Sequence, residues 1–193
     1  MFVWENQTIF KFNIPCLFMI LIISTCAEKI HELEFVKPIE EILEKNYFVK
    51  HYSKISEGDL QKADKIIMTG TSLQDNKFLK DLKEFNWIRD FKKPILGICA
   101  GMQIISLIFG SKIKSKTEIG FYKEKFTKDF LGLKGEQQVY HLHNNYTTLP
   151  REFEKFTDSK ILQAIKHKTK PIFGILFHPE VRNKELIDNF INS

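Results

Sequence analysis

This sequence predicts an α/β protein: an open, mostly parallel central sheet with helices on both faces, and a small antiparallel sheet beside it. Three observations predict it. Apolar runs short enough for buried strands alternate with segments of helical period, the order that lays parallel strands side by side. One run, Pro94-Ile95-Leu96-Gly97-Ile98, leads into Cys99-Ala100-Gly101, and the apolar spacing then becomes helical through Phe109, with Gly110 at the stop position. A second run, residues 171–177, leads into His178-Pro179-Glu180-Val181. Ligands of such sheets bind beyond the carboxyl ends of the strands, and Gly70, Cys99 and His178 all fall at strand ends.

The elements follow in order. Residues 12–23 are apolar enough to imitate a signal-peptide core, but a single Lys11 and the lack of a small-residue cleavage site argue against secretion. Residues 30–46 are helical in period, with Pro38 in a first turn, and residues 47–52 alternate as a strand. A short helix fits residues 59–63, and residues 65–69 form a strand that stops at Gly70. Residues 76–90 read as a helix on the outer face of the sheet, with Phe78, Leu79, Leu82, Phe85, Trp87 and Ile88 packed into the core. After the Cys99 helix, residues 112–116 and 119–126 are strands of the smaller antiparallel set, and residues 139–146 a strand followed by a loop. Residues 153–156, 161–166 and 172–177 supply the last strands, with Thr157-Asp158-Ser159 as a turn, and Asn183 caps a closing helix to Ile191.

With 193 residues, 43% of them hydrophobic, and no linker or repeat, the chain is expected to form one domain with a substantial core. The net charge of +5 comes from scattered lysines rather than a basic stripe, which argues against nucleic acid as a partner, and no membrane partner is expected. Cys16, Cys26 and Cys99 offer neither a disulfide framework nor Cys-x-x-Cys metal spacing, so a reducing, cytoplasmic setting is expected and Cys26 is a bystander thiol.

The chemistry lies in the two strand ends. Glycines two residues either side of Cys99 suit a sharp strand-to-helix turn that strains the central residue and leaves no room for neighbouring side chains. The first turn of the following helix offers free N–H groups and a positive dipole end, which favour a thiolate and can hold an oxyanion. A cysteine there is otherwise a small buried apolar residue. In extended backbone His178 and Glu180 point to the same side, so the carboxylate can orient the imidazole and leave its other nitrogen for the thiol. Read alone, His-Pro-Glu is also an ordinary surface turn. Gln103 lies one helical turn beyond Cys99 on the same face, where its amide meets either a substrate or a neighbouring loop. His141 and His143 stand at i and i+2, but no third ligand has suitable spacing, so no metal and no other cofactor is expected.

Together, GICAGMQ (97–103) and FHPEV (177–181) resemble the class I, triad-type glutamine amidotransferases, and most of all the glutaminase component of GMP synthetase, over about residues 19–192. The resemblance implies a flavodoxin-like fold, Cys99, His178 and Glu180 as a catalytic triad, and an oxyanion hole from the N–H groups of Ala100 and the Gly70-Thr71 loop. Family members carry a second glycine where this chain has Thr71. A β-branched residue does not readily take positive φ, and a displaced donor there would cost about a hundredfold in rate. Gln103 becomes a substrate contact. Residues 140–146 resemble the segment Ser-His-x-Asp that lines the glutamine pocket: His143 matches, Leu142 and Asn145 depart, and His143, Asn144 and Asn145 are expected against the substrate. Glu118-Ile119-Gly120 is similar to the family's Glu-x-Gly. Residues 19–23 become the first central strand, which makes Met19 the expected natural start and residues 1–18 an extension. The chain has no phosphate-binding loop and no length for a synthetase domain. The resemblance therefore implies L-glutamine as substrate and a separate ammonia-accepting synthetase, of the GMP synthetase kind, as partner. A γ-glutamyl hydrolase or cysteine peptidase on the same scaffold, or a non-catalytic regulatory module, are the alternatives.

Overall fold

The computed structural model describes residues 18–193; apart from Phe18, the expected extension before Met19 lies outside the described residues, as does Cys16. In chain order the regular elements are β1 (Ile20–Ser24), α1 (Glu32–Phe35), α2 (Lys37–Leu43), β2 (Tyr47–His51), α3 (Glu57–Lys62), β3 (Lys65–Met68), β4 (Ile95–Ile98), α4 (Ala100–Ile108), β5 (Ile113–Phe130), β6 (Leu133–Thr147), β7 (Phe153–Lys155), β8 (Ala164–His167), β9 (Ile172–Ile175) and α5 (Lys184–Asn192). The main sheet runs β2-β1-β3-β4-β9-β8-β7. Its first five strands are parallel, and β8 and β7 continue it antiparallel.

β1, β3 and β4 are buried along their whole length, as expected of strands covered on both faces that read as unbroken apolar runs. The period-2 alternation divides the core into two layers. Leu21, Ile23, Ile66 and Met68 pack on one face with Phe85, Ile88 and the α4 residues Met102, Ile104 and Ile105. Ile20, Ile22, Ile67 and Leu96 pack on the other with Val36 and Ile39 of the α1–α2 region and Leu186, Ile187 and Phe190 of α5. Fully burying one such side chain contributes about 1.5–3 kcal/mol. The two-layer core thus fixes the parallel strands rigidly under the site.

Three sequence expectations need correction. Residues 76–90 form no α-helix but two 3-10 stretches, Lys77–Leu79 and Leu82–Arg89. Leu82, Phe85 and Ile88 recur every third residue, which suits the three-residue turn of that helix and still buries Phe85 and Ile88. Residues 30–46 are broken into a 3-10 turn, α1 and α2, and end with Glu44 and Asn46 at φ 58° and 61°. The small sheet is one hairpin of 18- and 15-residue strands, and residues 139–146, expected to pass into a loop, stay in β6 throughout. Much of β5 is solvent-exposed, so it carries no apolar period to read. Smaller differences remain: β8 begins at Ala164, and Asn183 precedes α5 without a side-chain cap. No described helix is long and apolar enough to cross a membrane.

Candidate active site

Three strand ends and the long hairpin meet at one edge of the sheet. Gly97 of β4 stands level with Met68 of β3 and with Gly174 of β9, so the chain beyond each strand arrives at the same place.

At the end of β4 the N–H of Cys99 donates to the Ile175 carbonyl at 2.8 Å, and α4 begins at the next residue. Cys99 takes φ 48° and ψ −101°, a strained conformation of the kind that costs about 1–3 kcal/mol and persists only where its surroundings impose it. Two glycines impose it here. A Cβ on Gly97 would stand 2.6 Å from the Gly101 carbonyl carbon, and one on Gly101 would stand 2.5 Å from the Met68 carbonyl oxygen. β3, β4 and α4 are in backbone contact at this point, so the steric reading of Gly-x-Cys-x-Gly holds.

His178 follows β9. Its N–H donates to the Tyr140 carbonyl at 2.8 Å, and its Nδ1 lies 2.7 Å from Glu180 Oε1. Both side chains are buried, with Phe35 against the imidazole. Cys99 is the neighbour on the other side of the ring. The thiol donates to the Leu142 carbonyl at 3.6 Å, so Nε2 is left without a well-formed hydrogen bond. Burial alone would lower the imidazole pKa, but the Glu180 carboxylate and the Cys99 sulfur outweigh it and hold the ring well above its ordinary value.

The loop after β3 closes the other side. A Cβ on Gly70 would lie 2.7 Å from His178 Cε1, so glycine is the residue that admits the imidazole. Thr25 Oγ1 donates to the Thr69 and Gly70 carbonyls at 3.1 Å each, and Thr71 Oγ1 donates to Asp75 Oδ2 at 2.7 Å. Asp75 also accepts from the Ala27 N–H at 2.6 Å. Among the described residues, the non-glycine ones at positive φ are Glu44, Asn46, Cys99 and Leu131; Thr71 is not among them, so its β-branch meets no backbone strain. Among the described residues, no hydrogen bond reaches the N–H of Gly70, Thr71 or Ala100. These donors are free to hold an anion beside Cys99. Sequence reasoning misses Thr25 and Asp75, because nothing local sets them apart from other turn residues.

A pocket of about 270 Å³ opens between Cys99, Thr71, Gln103 and the β6 segment 142–145. Gln103, His143, Asn144 and Asn145, all expected against the substrate, line it. Hydrogen bonds tie its walls together: Gln103 Nε2 donates to the Asn145 carbonyl at 3.0 Å, Asn144 Nδ2 to the Leu73 carbonyl at 3.0 Å and Asn145 Nδ2 to Asn76 Oδ1 at 3.1 Å. The Gln103 amide therefore bonds to the backbone of strand β6 across the pocket. With its walls bonded to one another the pocket is closed down, and a ligand entering it must part these bonds.

Behind the pocket, Glu118 pairs across the hairpin with His143. Its Oε2 lies 3.0 Å from His141 Nδ1 and 3.3 Å from His143 Nε2. Spacing alone offers no third group near these histidines; a shift of register between Ser115 and Glu118 delivers one. Burial lowers the pKa of both imidazoles to about 4, with the charge of His178 adding to the effect on His141 and that of His141 to the effect on His143.

Comparison with known proteins follows the same outline. The family model of class-I glutamine amidotransferases matches residues 26–192. A glutamine-hydrolysing GMP synthase subunit of Methanosarcina barkeri is 32% identical over 143 residues, 68% of this chain and 74% of that protein. GMP synthase of Staphylococcus aureus is 37% identical over 109 residues, and this match spans only 21% of that longer protein. The crystal structure of a Thermoplasma acidophilum protein, described as a GMP synthase subunit, superposes with a TM-score of 0.79 at 26% identity, covering 91% of this chain and 92% of that one. A Thermotoga maritima glutamine amidotransferase, with a TM-score of 0.67 at 19% identity, shares the fold over 90% of this chain and 81% of its own. With a family model covering most of its length, and with the nucleophile-elbow geometry at Cys99, this chain belongs to the class-I glutamine amidotransferases.

Proposed function

We propose that this protein is a glutaminase subunit that hydrolyses L-glutamine to glutamate and ammonia and delivers the ammonia to a separate synthetase of the GMP synthetase kind. The observation that carries the reading is the buried relay in which Glu180 Oε1 lies 2.7 Å from His178 Nδ1 while the opposite side of the ring meets Cys99 on its strained turn.

Cys99 attacks the γ-carboxamide carbon of glutamine. The raised pKa of His178 favours an imidazolium, whose charge stabilises the attacking sulfur anion. The N–H groups of Ala100 and the Gly70-Thr71 loop take the developing oxyanion, each worth about 3 kcal/mol to the barrier. His178 then protonates the departing ammonia and activates water against the thioester, while Glu180 keeps the tautomer. Pocket residues Gln103, His143, Asn144 and Asn145 hold the amino-acid part of the substrate once the ties between the walls open.

The test is steady-state hydrolysis of glutamine against γ-glutamyl peptides, with and without an ATP-dependent GMP synthetase partner, together with labelling by a glutamine-analogue electrophile. The expected result is a clear preference for glutamine and a label on Cys99. A preference for the peptide would mean a γ-glutamyl hydrolase. An unlabelled Cys99 under both conditions would mean a non-catalytic module.

A further inference from the structure

We infer that Glu118, His141 and His143 form a binding site for a divalent transition-metal ion of the zinc type, a site that shares His143 with the glutamine pocket proposed above and adds an ion the proposed hydrolysis does not use. The hairpin register builds it. Glu118 stands directly opposite His143 in the antiparallel ladder, and Gly120 opposite His141, so the three side chains share one face. Their ligand atoms all lie within 4.8 Å of one another. The two separations from the Glu118 oxygen, 3.0 Å to His141 Nδ1 and 3.3 Å to His143 Nε2, match the ligand-to-ligand distance of about 3.3 Å that tetrahedral zinc with bonds of about 2.0–2.1 Å imposes.

The donor set selects the ion. Two imidazoles and one carboxylate suit zinc and its neighbours rather than magnesium or calcium, and three protein ligands leave a fourth position for water. A second layer is present. Glu124 Oε1 lies 3.6 Å from His141 Nε2, on the ring nitrogen turned away from the cluster, which is where a carboxylate orients a metal-bound histidine. Gln163 Nε2 donates to Glu118 Oε2 at 3.4 Å, and Tyr122 stacks on His141 with the rings 9° from parallel. As a purely structural cluster the arrangement is poorly satisfied. Both histidine side chains are fully buried, yet His141 Nε2 and both nitrogens of His143 lack a well-formed hydrogen bond, a defect that a bound ion would relieve. Glu118 keeps some contact with solvent, which gives an ion a way in.

The experiment uses the full chain carrying Cys99→Ala, which removes the thiol beside His178 as a competing ligand. Cobalt(II) is titrated as a spectroscopic probe and then displaced by zinc. The expected result is one equivalent bound, with visible tetrahedral d–d bands and no thiolate charge-transfer band. In the Cys99→Ala, Glu118→Gln double variant, affinity falls by more than the 10–100-fold that loss of an outer partner costs. His141→Gln is the second variant and is expected to behave alike, with circular dichroism reporting the fold of each. Binding that disappears with Cys99, or that survives both ligand substitutions unchanged, overturns the site. Cys99→Ala is inactive in glutamine hydrolysis on our reading, so a failed titration and a failed glutaminase assay are separate results.

Discussion

One pocket is walled by two unlike structures. On the Cys99 side the wall is backbone against backbone: Gly101 lies so close to Met68 that a Cβ there would stand 2.5 Å from a carbonyl oxygen, and the strained turn is locked between β3, β4 and α4. On the His143 side the wall is a long hairpin, half in solvent, held over the pocket by side-chain amides of Gln103, Asn144 and Asn145. Rigid packing fixes the groups proposed to react, while breakable polar ties hold the space beside them. Substitutions on the first wall should therefore strike chemistry and stability, and those on the second should strike substrate binding.

The largest effect is expected at Cys99. Cys99→Ala should reduce glutamine hydrolysis by more than about 10⁴-fold, as loss of a nucleophile does, while circular dichroism and the unfolding midpoint stay close to those of the parent. Residual activity within tenfold of the parent would move the nucleophile elsewhere.

Glu180→Gln comes next, and it carries a pH signature. The His178 pKa is raised in the fold, so its contribution to stability is fully present below the unfolded value of about 6.5 and fades as pH rises through the folded value. The destabilisation by Glu180→Gln, read from urea unfolding, should be largest between about pH 5 and 6.5 and shrink toward alkaline pH. Activity should fall by about 10³–10⁴-fold at neutral pH, because the amide no longer holds the working tautomer. A pH-independent stability difference would break the link between the carboxylate and the ring.

The same substitution made on both walls sharpens the contrast. Gly101→Ala forces a methyl group against the Met68 carbonyl and should cost about 3 kcal/mol, with activity lost as α4 is pushed off β3. Gly135→Ala sits on the hairpin at φ 62° with nothing within 4 Å, and should cost only about 1–2 kcal/mol of left-handed strain. Urea denaturation of both decides it, and equal costs would mean that the elbow relaxes. Gln103→Ala, which frees the Asn145 carbonyl, should raise KM by about tenfold with a smaller change in kcat, the value of about one hydrogen bond.

The two walls also differ in how far the sequence foretells them. Gly97, Cys99 and Gly101 are neighbours, and the clashes that demand glycine arise within one turn of chain, so a short motif carries the whole geometry. His178 and Glu180 are equally local: two residues apart in extended backbone, they meet without help from the fold. The burial of β1, β3 and β4 on both faces follows from their unbroken apolar runs. On the hairpin the determining quantity is cross-strand register, and the irregularity between Ser115 and Glu118 decides which residue faces His143. No local pattern encodes that shift, so the pairing of His141 and His143 with Glu118 cannot be read from spacing. The length of β5 is hidden for a related reason: with both faces partly in water, its residues need no apolar period. The 3-10 run Leu82–Arg89 shows a third limit, since apolar residues at every third position fit a helix of either pitch on inspection.

The smallest effect is expected at Thr71, where the family resemblance leads one to expect a glycine. A β-branched residue forced to positive φ would carry its N–H out of line. In the fold Thr71 keeps negative φ, and its hydroxyl, donating to Asp75 at 2.7 Å, ties the loop to the same carboxylate that accepts the Ala27 N–H. Thr71→Gly should thus leave kcat within about threefold of the parent, because the backbone donor stays where it is. It should lower stability by about 1–2 kcal/mol, from the lost hydrogen bond and the added freedom of glycine in the unfolded chain. A rise of tenfold or more in kcat would show that threonine holds the donor away from the oxyanion, and that the rigid wall of this pocket is set for something other than fast turnover.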